Sequence, residues 1–187
     1  MHIEQKLAED FRANNVSAID AIFREKPRLQ KKGGYLGGDW LYYAAGECNL
    51  DVINYLIALG FDPHAKAKQE GDNPLCAAAS AGRLENVNFF LELGVEMDTS
   101  NSVRNPLFAA CGRDARDIVK LLLSAGIDAT VKYTGVNLNG MDAACFAVYN
   151  NSPECAKLIV EHLAEGNAQK YNELWADAQK VREKLQW

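Results

Sequence analysis

Three histidines and five cysteines are the residues best equipped for chemistry in this chain, and their spacing argues against most of it. A metal site draws ligands from short, repeated intervals, such as two cysteines two residues apart or two histidines on one helical face. His2, His64 and His162 lie far apart, and Cys48, Cys76, Cys111, Cys145 and Cys155 include no C-x-x-C pair. Neither a metal site nor a cofactor is expected. His64 follows an apolar run at a turn, a place where His more often makes a hydrogen bond than a metal bond. Gly33-Gly34 and Gly37-Gly38 suggest a phosphate loop only superficially, because no G-K-[ST] follows and no apolar strand precedes them. The sharp G-x-S-x-G turn that exposes a nucleophilic serine is absent too. These residues predict that the protein is not an enzyme.

The elements around them must therefore serve something else. The chain has 187 residues, 48% of them apolar and 24% charged, enough for one domain with its own core. A net charge of −5 favours solubility and argues against nonspecific nucleic-acid binding. The first fifteen residues carry charge throughout, so no signal peptide is expected, and no apolar run reaches the length of a membrane span. An odd number of cysteines without close pairing suits a reducing cytoplasm better than a disulfide framework.

Internal repetition is the strongest signal. Residues 39–62, 73–96 and 105–128 align by eye, each reading as a helix of small residues, a polar turn, an apolar helix, a Gly and a loop. A weaker copy spans 140–163 and a weaker one still 7–23. First-helix landmarks are Leu7, Leu41, Leu75, Leu107 and Ala144; second-helix landmarks are Ile22, Leu56, Phe90, Leu122 and Ile159. Within every copy the two are 15 residues apart, whereas the gaps between copies are 19, 19, 17 and 22. A helix pair of fixed geometry thus alternates with a connector of variable length. Gly60, Gly94 and Gly126 close the second helices, where a left-handed residue caps the chain end.

Asn73-Pro74-Leu75 and Asn105-Pro106-Leu107 then open two first helices, with Pro at a position that needs no N–H and Asn as a capping acceptor. This pattern resembles the ankyrin repeat, which opens T-P-L-H-x-A and recurs about every 33 residues. The stretch Asp117 to Asp128 is similar to the family's second helix and its exit. The resemblance covers residues 5 to 166. It implies an all-α ankyrin-repeat solenoid of about five helix pairs with finger hairpins and a C-terminal capping helix. A single domain is expected over 1–187: an N-terminal capping repeat at 1–36, repeats at 37–70, 71–103, 104–138 and 139–166, and the capping helix at 167–187. Tyr171, Leu174, Trp175, Ala178, Val181 and Leu185 form the apolar stripe of that last helix; the alternative is a free amphipathic helix. The family's His slot holds Tyr42, Cys76, Phe108 and Cys145, so its His-mediated hydrogen bonds to the neighbouring loop are expected to be missing. The same frame buries Cys76, Cys111 and Cys145, where thiols behave as small hydrophobes.

Ankyrin proteins bind other proteins, and the resemblance implies a concave face built from first helices and fingers. The exposed first-helix positions in this frame leave a flat middle of Ala, Ser and Gly between aromatic ends. The candidate partner-binding residues are Tyr35, Tyr43, Glu47, Lys66, Lys68, Arg104, Arg113, Tyr133, Phe146, Tyr149 and Asn150. Aromatic residues and Arg carry much of the binding energy at interfaces. Packing against neighbouring fingers explains Tyr43 and Phe146 equally well. The expected function is a protein–protein interaction module that binds and inhibits its partner, one form being a bacterial immunity protein neutralising a toxin domain. The alternatives are a signalling or transcription-factor adaptor and, remotely, an enzyme or small-ligand protein using the long 131–142 loop. The expected partner is a protein, not nucleic acid or membrane, met by a monomer.

Overall fold

The structure, a computed structural model, describes residues 3–31, 38–68, 71–135 and 138–183. Five helix pairs run in order: α1 (Ile3–Arg12) with α2 (Val16–Glu25), α3 (Trp40–Glu47) with α4 (Leu50–Ala58), α5 (Pro74–Ala81) with α6 (Leu84–Glu92), α7 (Pro106–Gly112) with α8 (Arg116–Ser124), and α9 (Ala143–Tyr149) with α10 (Pro153–Ala164). A 3-10 turn at Pro27–Leu29 follows α2, and α11 (Ala168–Glu183) follows the last pair. Among the described residues the strands are β1 (Tyr133–Gly135) and β2 (Leu138–Met141), which pair antiparallel in the finger before α9. The all-α repeat fold that the spacing predicts is thus present.

The chain divides into two compact units, Met1–Glu96 and Met97–Trp187. The division falls at the start of the polar connector 97–104, in which Thr99, Ser100, Asn101 and Ser102 offer no apolar anchor and Val103 is 51% exposed.

In the first unit the small residues act as the frame demands. Ala44 and Ala45 on α3, and Ala78 and Ala79 on α5, are fully buried, and α3 packs directly on α5. A methyl group added to Gly46 would meet Ala81 Cβ at 3.5 Å and the Ala77 carbonyl at 3.6 Å. The second helices contribute the large core residues Ile53, Leu56 and Phe90. At the N-terminal end Trp40 stacks on Phe11 with ring centroids 4.9 Å apart, and its indole N–H donates to the Leu29 carbonyl at 2.7 Å.

Each of the first helices α3, α5, α7 and α9 begins on an Asp or Asn whose side chain accepts a backbone N–H. Asp39 takes that of Tyr42, Asn73 of Cys76, Asn105 of Leu107 and Asp142 of Cys145. The end of α3 is closed from the next repeat. Asn86, 2% exposed, donates from Nδ2 to the carbonyls of Ala45 and Cys48, both at 2.9 Å. Arg83 donates to Gly46 O at 3.1 Å and Glu47 O at 2.8 Å. In place of the missing His, the Tyr42 hydroxyl donates to Asp72 of the neighbouring loop at 2.6 Å. Asn73 adds another by donating to the Glu96 carbonyl at 2.8 Å. A phenol reaches as far as an imidazole, so the slot keeps its role with different chemistry.

In the second unit α7 packs on α9, α8 on α10, and α11 on both α9 and α10. Ala178 is buried and Tyr171, Leu174, Trp175 and Val181 are half-buried, so the apolar stripe faces the pair that precedes it. Residues 184–187 of the expected capping helix, with Leu185, lie outside the described residues.

Asn86→Ala would leave the Ala45 and Cys48 carbonyls buried without their donor, at a cost of about 1–3 kcal/mol. The expected result is a lower urea midpoint with an unchanged slope; a midpoint within error of the wild type would show that these bonds do not hold the repeat together.

Candidate functional site

The second unit gathers aromatic side chains from three elements. Tyr133 on β1 meets Phe108 on α7 edge-on at 4.9 Å. Phe108 stacks on Phe146 of α9 at 4.7 Å, and Phe146 stacks on Tyr149 at 6.4 Å. Burial grades along this ladder: Phe108 is 2% exposed, Tyr133 and Phe146 are half-buried, and Tyr149 is 37% exposed. The Tyr133 hydroxyl donates to Thr99 O at 2.7 Å and accepts from Asn105 Nδ2 at 3.0 Å. Burial raises its pKa, opposed by the Asn105 hydrogen bond, so it stands as a neutral donor at neutral pH.

Beside the ladder, Asn150 is exposed, and its Nδ2 donates to Phe146 O at 2.9 Å. Gly112 leaves open floor next to Phe146, whose ring edge lies 3.9 Å from where a Cβ would stand, and Arg113 follows it, exposed. Arg104 is half-buried and donates to Ser100 Oγ at 3.4 Å. Of the candidates in this unit, Tyr133, Phe146, Tyr149 and Asn150 come together. Phe108, which joins them, was not among the candidates, because the frame assigns it to the inward His slot.

The candidates of the first unit are more dispersed. Tyr43 is half-buried, with its ring edge-on to Phe11 at 5.8 Å and to Trp40 at 6.1 Å. It therefore packs with the N-terminal pair while showing one edge. Glu47 is exposed, and Lys68 is exposed. Lys66 is exposed and pairs with Glu96 at 3.5 Å. Tyr35 lies outside the described residues. Among the described residues no group of three or more His, Cys, Asp or Glu side chains is placed to hold a metal ion.

A family model described as ankyrin repeats in three copies matches residues 41–133 and 100–170. Alpha-latroinsectotoxin-Lt1a of Latrodectus tredecimguttatus is 38% identical over 85 residues, 44% of this chain and 6% of that protein. The E3 ubiquitin-protein ligase KEG of Arabidopsis thaliana is 37% identical over 115 residues, 60% of this chain and 6% of the ligase. The human B-cell lymphoma 3 protein is 31% identical over 106 residues, 54% of this chain and 22% of its own length. The chain thus spans less than a quarter of each of these relatives.

The thiols have a consistent environment. Cys48, Cys76, Cys111 and Cys155 are buried, all five cysteines are free, and Cys145 is half-buried rather than enclosed as the frame expects, because it sits beside the finger base. Burial pushes Cys48 and Cys155 up to about 12 and Cys145 to about 11, and drives Cys111 well above its usual value. Thiolates are the reactive form, so these groups are quiet at neutral pH. A folded-state pKa above the unfolded value gives stability that is present below the unfolded pKa and lost as pH rises through the folded one. The melting temperature is therefore expected to fall from about pH 9 towards about 12, and Cys48→Ala should flatten that fall. In the same samples iodoacetamide should label Cys145 first and Cys111 last; early labelling of Cys111 would contradict the buried placement.

Proposed function

The chain belongs to the ankyrin-repeat family, and from that premise we propose that it binds a partner protein on the exposed edge of its aromatic ladder and inhibits that partner by occupying it. Ankyrin repeats make it a protein–protein interaction module. The finer reading rests on one observation, the Tyr133–Phe108–Phe146–Tyr149 ladder, in which exposure rises from buried Phe108 through Phe146 to Tyr149. Such a row offers a rigid apolar base and a Tyr edge, the side-chain type that most often anchors an interface. Asn150 and Arg113 provide polar and cationic groups around it. In the first unit the exposed Glu47 and Lys68, and the half-buried Tyr43, are the matching positions.

A toxin domain is the partner in the most specific form of this reading, and the irregular connectors, with gaps of 19, 19, 17 and 22 residues, support a surface fitted to one target. A reducing compartment such as the cytoplasm fits the five free cysteines. The net charge of −5 supports a protein rather than a nucleic-acid partner, met by a monomer.

With the partner captured and identified, binding is measured directly. Tyr149→Ala should cost about 2 kcal/mol of binding, roughly a thirty-fold loss of affinity, with the circular dichroism spectrum unchanged. Lys120→Ala, on the exposed side of α8, should bind as the wild type. Wild-type binding by Tyr149→Ala together with loss in Lys120→Ala would move the recognition surface to the second helices.

A further inference from the structure

The first unit holds a charged cavity, remote in sequence from the ladder. A cavity of about 490 Å³ lies where the start of α1 meets the turn after α2, lined by Ile3, Glu4, Lys26, Arg28, Leu29 and Lys31. Three cations and one carboxylate surround two apolar side chains, in a chain whose overall charge is −5.

The wall is held from both sides. Leu29 is 4% exposed, and its carbonyl accepts the Trp40 indole N–H at 2.7 Å. Trp40 in turn stacks on Phe11 of α1. The Lys26 N–H closes α2 on Ile22 O, and the Leu29 N–H returns to Lys26 O, both at 2.9 Å. The cations on this wall are poorly satisfied. Lys26 reaches a carboxylate only at 3.9 Å, that of its neighbour Glu25. Arg28 and Lys31 are exposed and make no ion pair among the described residues.

We propose that this cavity docks an acidic peptide segment of a partner protein, seating an apolar side chain against Ile3 and Leu29 while flanking carboxylates pair with Lys26, Arg28 and Lys31. Charge complementarity selects the carboxylates, and the apolar floor selects the side chain between them. A nucleic acid fits worse, because none of the lining residues is an aromatic on which a base could stack. A small inorganic anion fits worse too, because it would leave the apolar side chains of Ile3 and Leu29 in the lining without a partner. Arg28 adds a planar fork suited to a carboxylate, which Lys cannot offer.

The test uses the full chain and a fluorescently labelled peptide in which Asp and Glu flank a Leu-Leu pair, followed by anisotropy at low salt. Saturable binding is expected, weakening as salt rises. Arg28→Glu combined with Lys31→Glu should weaken it at least about tenfold, a change of about 1.4 kcal/mol; both residues are exposed, and circular dichroism checks the fold. Replacing Leu-Leu by Ser-Ser in the peptide should weaken binding by a similar factor. Tyr149→Ala should leave it unchanged, which separates this site from the ladder. The proposal is overturned if the peptide does not saturate, if the charge-reversed protein binds it as the wild type does, or if the Ser-Ser peptide binds equally well. It is also overturned if a single-stranded oligonucleotide or phosphatidylserine vesicles bind more tightly than the peptide and displace it.

Discussion

Close approach between neighbouring first helices is the constraint on which the rest of each unit depends. A helix pair has too little apolar surface to close a core alone, so each must lay one face on the next. Ala44, Ala45, Ala78 and Ala79 permit this between α3 and α5, because nothing extends beyond their Cβ atoms. In the second unit the buried Ala110 and Ala147 serve α7 and α9 in the same way. A larger residue at any of these positions would overpack the contact, which ordinarily costs about 1–3 kcal/mol.

That approach is also what brings polar groups across the repeat boundary. With α3 and α5 in contact, Arg83 and Asn86 reach the carbonyl end of α3 and the turn after it. The buried polar side chains are correspondingly committed to the scaffold: Asp72 accepts from Tyr42, Asn73 and Asn105 each cap a helix and donate to a finger, and Asp98 accepts the Ser100 N–H. These bonds fix the finger bases relative to the helices.

The helix pairs were legible because the inner spacing of 15 residues is set by helix geometry and tolerates no drift. Capping was legible for the same reason: Asn73, Asn105, Asp39 and Asp142 sit at the first-helix starts that the repeat frame marks. The candidate site was legible only in part. Tyr149 is exposed as its frame position implies, but Tyr43 is half-covered by Phe11, an aromatic from another repeat that no periodicity brings to its side. Phe108 shows the converse case: its slot faces inward, yet it is the ring through which Tyr133 and Phe146 connect. The bonds of Asn86 span 41 and 38 residues, and a side chain with four hydrogen-bonding options does not announce its partners from sequence.

How firmly a ring is held determines what it contributes when a partner arrives. Tyr133 is fixed by two hydrogen bonds and by Phe108, and Phe146 by stacking on both sides. Such groups lose little freedom on association, whereas ordering a loose side chain costs about 0.5–1.5 kcal/mol. Tyr149 stands at the exposed end with one stacked neighbour. In the proposed binding mode its hydroxyl meets the partner while its ring position is set by Phe146. A held base with one adaptable edge favours selectivity for shape at the buried end and for polar chemistry at the open end. The repeat fold can supply that combination because its helix spacing is fixed by packing while its fingers remain free to vary.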